Sequence, residues 1–141
     1  MLRQTERMET TTKSLIWPVL IYKDGPAAIR FLVNAFGFEE AAVYTDEKDK
    51  RVVVHAELRW PGGGGVMLGS AGAGEEPFTN RPTGTASIYV VTDEPDALYE
   101  RATAAGADIA RELQNEDYGS RGFTARDPEG NLWSFGTYGG P

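Results

Sequence analysis

The sequence predicts an α+β fold made of two βαβββ modules. Three observations predict it: an apolar strand-helix start that occurs twice, a glycine closing each helix, and a Gly/Pro-rich stretch between the halves. Sliding one half over the other by 70 positions lays Trp17 on Ser87 and the first helix on the second. The repeat lies in element order rather than in residue identity. Each unit is too small to bury its own sheet face, so the two must pack together.

The first module opens with Leu15 to Tyr22, an apolar run rich in β-branched and aromatic residues that reads as a buried strand. Asp24-Gly25-Pro26 ends it, and Pro26 suits the first turn of a helix. Ala28, Ile29, Leu32 and Phe36 recur at helical spacing up to Gly37. Strands follow over Phe38 to Tyr44, Arg51 to Trp60 and Val66 to Leu68. Gly69 to Gly84 has no periodicity and reads as the connection between halves.

In the second half Ala86 to Thr92 is a strand, and Asp93 caps a helix through Ala105. Ala97, Leu98, Arg101, Ala102 and Ala105 form its inner stripe. Asp108 to Glu112 is a weak strand and Arg121 to Arg126 a better one. Asp127-Pro128-Glu129-Gly130 makes a turn, and Leu132 to Tyr138 closes the sheet. The organisation expected is a flexible tail over 1–14 and one domain over 15–138. Within it, module one spans about 15–71, the linker about 72–83 and module two about 84–138.

Composition excludes several functions. The chain has 141 residues, a net charge of −7 and no cysteine. Acidity of this size argues against nucleic acid or an anionic membrane as partner. Without cysteine there is no disulfide, thiolate metal site or cysteine nucleophile. His55 is the single histidine, so no site needing two imidazoles is available from one chain. No apolar run is long enough for a membrane span and residues 1–14 lack a signal-peptide centre, so the expected location is the cytoplasm. The glycine run 62–65 lacks the Gly-Lys-Ser/Thr ending of a phosphate loop and reads as a turn.

The segment from Asp117 to Trp133, with Gly119-Ser120-Arg121 ahead of the Asp127-Pro128-Glu129-Gly130-Asn131 turn, resembles the closing hairpin of the vicinal-oxygen-chelate superfamily, the glyoxalase, bleomycin-resistance and extradiol dioxygenase proteins. Ala104-Ala105-Gly106 and Ala35-Phe36-Gly37-Phe38 at the helix ends are similar to that family too, so the likeness covers residues 15–138. It implies curved mixed sheets around a cleft, usually within a dimer. It also implies a divalent metal held by His, Gln or Glu from the first and last strands of each module. Here those positions fall on Trp17, Ser87, Ser134 and Met67, with Gly69 as the alternative to Met67. An indole has no acceptor, and hydroxyls and a thioether are poor ligands for such metals.

The expectation is therefore a binder of small amphipathic molecules, with no metal and no cofactor. Its ligand site would comprise Trp17, Met67, Ser87, Tyr89, Tyr118 and Ser134, within a homodimer. Tyr118 either roofs the cleft or packs on Trp133; Trp133 and Phe135 alternate with Ser134 and belong to the core. Arg121 and Arg126 either bind an anionic group or pair with surface carboxylates. The alternative is a glyoxalase- or dioxygenase-like lyase or oxidoreductase whose chemistry has moved to His55 and Glu57. These lie two apart on one strand face, and the bland reading of them is a polar pair.

Overall fold

The computed structural model describes residues 14–141; the expected tail over 1–14 lies, but for Ser14, outside the described residues. Module one runs β1 (Val19–Tyr22), α1 (Gly25–Phe31), β2 (Glu39–Thr45), β3 (Val53–Arg59) and β4 (Gly65–Ser70). Module two runs β5 (Ser87–Val91), α2 (Pro95–Ala104), β6 (Asp108–Asn115), β7 (Arg121–Arg126) and β8 (Leu132–Gly136). Residues 71–86 carry no helix or strand. The strands form two four-stranded sheets of identical order, β1-β4-β3-β2 and β5-β8-β7-β6. In each, the first strand pairs parallel to the last and the other pairs are antiparallel. The predicted α+β fold of two βαβββ modules is thus observed.

Several boundaries differ from expectation, each for a local reason. The first strand starts at Val19 and not Leu15, because Pro18 has no N–H; its carbonyl accepts from Met67 N at 2.9 Å. Leu15 and Ile16 are exposed rather than buried. The Asp24 side chain caps α1 by accepting from Ala27 N at 3.0 Å. That helix widens into a π-helical turn over Leu32–Phe36 before Gly37 stops it at φ 88°. The second helix begins at Pro95, with Glu94 rather than Asp93 at its cap position, and the Thr92 hydroxyl accepts from Glu94 N. Of its predicted stripe only Leu98 and Ala102 are buried. Arg101 instead reaches module one, donating to the carbonyls of Asn34 at 2.9 Å and Val33 at 3.0 Å. It thereby adds a donor at the Asn34 carbonyl of the helix end, and a second one at Val33 O, which also accepts from Gly37 N. The weak strand extends to eight residues, Asp108–Asn115, because two irregularities let it follow β7.

The helix-facing sides of both sheets share one core. Tyr22, Leu58, Leu68 and Phe36 from module one meet Trp133 and Phe135 from module two, all almost fully buried. Phe36 lies 4.7 Å from Phe135 and 5.8 Å from Trp133, ring centre to ring centre.

One carboxylate fastens this junction. Asp127 is 4% exposed and accepts from the Tyr22 hydroxyl at 2.6 Å, Asn131 Nδ2 at 2.9 Å and Trp133 Nε1 at 3.0 Å. Glu129, in the same turn, accepts from the backbone N–H groups of Lys23 and Asp24. The predicted turn therefore ties β1 to β8 across more than a hundred residues.

Burial, and after it the Asp127 charge, raise the Tyr22 pKa well above the ordinary 10.0. Below pH 10 the phenol is neutral in both folded and unfolded chains and its contribution is intact. Above pH 10 only the unfolded chain ionises it readily, so stability falls by about 1.4 kcal/mol per pH unit. In urea titrations from about pH 8 to about pH 11, wild type should exceed Tyr22→Phe in stability at the low end. The gap should close as pH passes 10; a gap that stays constant contradicts this.

Candidate ligand-binding site

Side chains alternate across a strand, so one face of each sheet joins the core and the other stays open. On the second sheet Ile88, Val90, Trp133, Phe135, Phe123 and Ala125 turn inward. The open face carries a cross-strand row formed by Tyr89, Ser134, Thr124 and Arg111, one residue from each strand in register. Its middle members bond to each other, Thr124 Oγ1 to Ser134 Oγ at 2.8 Å.

The next row reads Val91, Gly136, Gly122, Gln114, and its two glycines leave a hollow. Tyr89 leans across Gly136, where a Cβ would come within 2.7 Å of the tyrosine hydroxyl. That hydroxyl donates to the carbonyl of Tyr138 at 2.7 Å, and Tyr138 N donates to Ser120 Oγ at 3.1 Å. The C-terminal segment is thus held beside the hollow. Tyr118 packs edge-on against Tyr138 at 6.1 Å, and both remain substantially exposed.

At the other end of the row Arg111 and Glu116 form an ion pair, with one of its hydrogen bonds at 3.1 Å. The Arg111 hydrogen bond holds the Glu116 carboxyl below the usual carboxylate range, and its partner's pKa is raised in return. Tyr89, Arg111, Glu116, Tyr118, Thr124 and Ser134 border a half-open hollow of about 180 Å³.

On the open face of the first sheet, His55 Nε2 lies 2.9 Å from Glu57 Oε2, and the Tyr44 ring stacks on the imidazole at 6.4 Å. Met67 sits opposite Glu57 across the ladder, half-buried. Trp17 lies just ahead of β1, and its indole N–H donates to Ser14 O at 3.3 Å. Gly65 leaves room for it: a Cβ there would be 2.9 Å from the indole.

A larger groove of about 740 Å³ runs between the modules, lined by Phe38, Trp60, Val66, Ile88 and Tyr89 among others. The Trp60 indole bridges it by donating to Val91 O at 3.2 Å.

The six expected site residues do not form one cluster in a single chain. Tyr89, Tyr118 and Ser134 border the same hollow. Met67 belongs to the other sheet and Trp17 lies just ahead of that sheet's first strand, while Ser87 lies exposed at the start of β5 outside both cavities. Of the two options for Tyr118, packing on Trp133 is excluded, since Tyr118 meets Tyr138 instead. Arg121 pairs with Asp96 at 2.8 and 3.0 Å, and Arg126 with Asp108 at 3.4 Å. Sequence reasoning missed Arg111, Glu116 and Trp60.

The residues at the metal positions implied by the family do not fit a divalent ion. Trp17 offers no acceptor, Met67 a thioether, and Ser87 and Ser134 only neutral hydroxyls, all poor donors for such an ion. Among the described residues no group of three His, Cys, Asp or Glu side chains converges.

The family model for the Glyoxalase/Bleomycin resistance protein/Dioxygenase superfamily matches residues 14–135. An uncharacterised protein of Mycobacterium tuberculosis H37Rv is 30% identical over 146 residues, covering 95% of this chain and 80% of that one. An uncharacterised protein of Shewanella frigidimarina is 32% identical over 126 residues, covering 86% and 90% respectively. The crystal structure of TioX from Micromonospora sp. ML1 superposes with a TM-score of 0.72 at 35% identity, covering 87% of this chain and 97% of TioX. With two βαβββ modules, matching sheet order and a family match across nearly all described residues, the chain belongs to the glyoxalase/bleomycin resistance protein/dioxygenase superfamily.

Proposed function

We propose that this protein is a metal-independent, cytoplasmic small-molecule binder resembling the bleomycin-resistance proteins, a homodimer that holds an amphipathic ligand between aromatic walls. The observation that carries this reading is the donor set. Where the family's metal ligands fall, this chain has an indole, a thioether and two hydroxyls, beside open sheet faces bearing Tyr44 and Tyr89 and a turn bearing Tyr118. Apolar walls with a few polar anchors suit ligand retention. A second copy is supported by β1, a sheet edge with no pairing strand among the described residues, at and just ahead of which Leu15, Ile16 and Val19 are 92%, 84% and 61% exposed.

Titration with the amphipathic dye Nile red tests the reading. Saturable binding is expected, unchanged by EDTA and weakened about tenfold in Trp17→Ala at an unaltered melting temperature, the equivalent of losing about 1.4 kcal/mol of contact. Binding abolished by EDTA and restored by zinc or manganese overturns it.

The 2.9 Å contact between His55 and Glu57 favours a second reading, a lyase or oxidoreductase with relocated chemistry. Two donors alone make an incomplete site for a transition metal. Stoichiometric zinc, iron, nickel or manganese in purified protein, lost in His55→Ala, would establish that reading in place of the first.

A further inference from the structure

The hollow on the second sheet has a chemical character that narrows what it accepts, and the narrowing rests on the binding function proposed above. We infer that it takes a neutral, electron-rich planar aromatic ring, laid against the flat face of the Arg111 guanidinium and touching the Thr124–Ser134 hydroxyl pair with a polar substituent.

The starting point is what Arg111 has left to offer. A guanidinium presents a fork of N–H donors in its plane and a weakly hydrated flat face above and below it. Glu116 already occupies Nη1 and Nη2, so the fork is engaged and the side chain is braced at the edge of the hollow. Adding an anionic ligand would set a second negative charge beside the Glu116 carboxylate. A cationic ligand would meet the guanidinium charge. The face that remains suits a π-system, which an arginine cation attracts.

The other walls agree. Gly122 presents no side chain in the row next to the hydroxyls, while at Gly136 the Tyr89 ring and the Ser120 hydroxyl close over the backbone. Tyr89 closes the opposite end, its ring fixed over Gly136 by the bond to Tyr138. Tyr118 and Tyr138 stand exposed at the rim, where a ring entering the hollow meets further aromatic edges. The volume of about 180 Å³ is close to that of apolar cavities of about 150 Å³ that hold benzene, so one ring system fits. Thr124 Oγ1 and Ser134 Oγ share one hydrogen bond and keep spare lone pairs and a proton, enough to meet one hydroxyl on the ring.

The test compares 2-naphthol with decahydro-2-naphthol, which keeps the skeleton and hydroxyl but lacks the π-system. Each is titrated into the full-length protein by ¹⁵N-amide NMR, which also reports whether variants fold. Expected are saturable shifts at Thr124 and Ser134 with 2-naphthol, about tenfold weaker with the saturated compound. Arg111→Lys, which keeps the charge and loses the flat face, should weaken 2-naphthol by a similar factor, as should Arg111→Ala. Equal binding of both compounds, shifts centred away from Thr124 and Ser134, or Arg111→Lys binding like wild type overturns the inference while leaving the broader binding function intact. Failure of both compounds to bind saturably would sink the inference and count against that function as well.

Discussion

Replacing Asp127 with Ala should cost about 4 kcal/mol and lower the melting temperature by roughly 10–20 °C, measured by urea and thermal denaturation at pH 7. The substitution leaves the Tyr22 hydroxyl and the Trp133 indole N–H buried without an acceptor. Each stranded donor costs about 1–3 kcal/mol, because water satisfies it in the unfolded chain and nothing does in the folded one. The same change frees the Asn131 side chain and the backbone N–H groups of Glu129 and Asn131, which Asp127 Oδ1 now holds. Asn131 in turn accepts from Ala86 N through Oδ1 at 3.0 Å, so the entry to β5 loosens too. In a double-mutant cycle Tyr22→Phe should make Asp127→Ala milder by about 1–2 kcal/mol, since one stranded donor is already gone. Asp127→Asn should fall between, because an amide keeps one acceptor but places an NH₂ among groups that are themselves donors. A loss under about 1 kcal/mol for Asp127→Ala would mean that the turn does not fasten the modules.

That turn shows where sequence reading succeeds and where it stops. Pro128 and Gly130 make a reversal legible from local chemistry, and Gly130 does take φ 100°. Its partner was not legible, since nothing near Asp127 in the chain announces Tyr22, 105 residues earlier. The open-face positions divide in the same way. Ser134 could be placed because Trp133 and Phe135 flank it, and strict alternation between buried and open faces is the strongest signal a strand carries. Arg111 could not, because β6 is exposed on most of its length and its pairing slips on both sides of Arg111. Each slip breaks the period of two, so no count along Asp108–Asn115 predicts which side chain reaches the hollow. Arg101 was misplaced for a related reason. It stands on the inner side of α2 by helical spacing, but its long stem carries the charge out to the end of the first helix.

Gly122→Ala should be at least as damaging as a large core truncation, about 3 kcal/mol or more, whereas Gly136→Ala should cost about 1 kcal/mol or less. The two glycines face each other across β7 and β8, yet what an added methyl meets differs in kind. At Gly136 the nearest atom, 2.7 Å away, is the hydroxyl at the tip of Tyr89, which can swing aside at the loss of its bond to Tyr138. At Gly122 the methyl carbon would lie 2.0 Å from the carbonyl oxygen of Phe135 and 2.8 Å from the Gly136 Cα. Those atoms are backbone and belong to the hydrogen-bonded ladder, so relief requires β7 and β8 to separate. Separation would part Phe123 from Phe135, whose rings stack at 5.3 Å, and pull the Thr124 and Ser134 hydroxyls apart. Gly122→Ala should therefore lose both stability and 2-naphthol binding, while Gly136→Ala should stay folded with the Tyr89–Tyr138 bond broken. Denaturation of the two variants side by side checks this, and equal costs would show that the strand pair yields more easily than its backbone contacts imply.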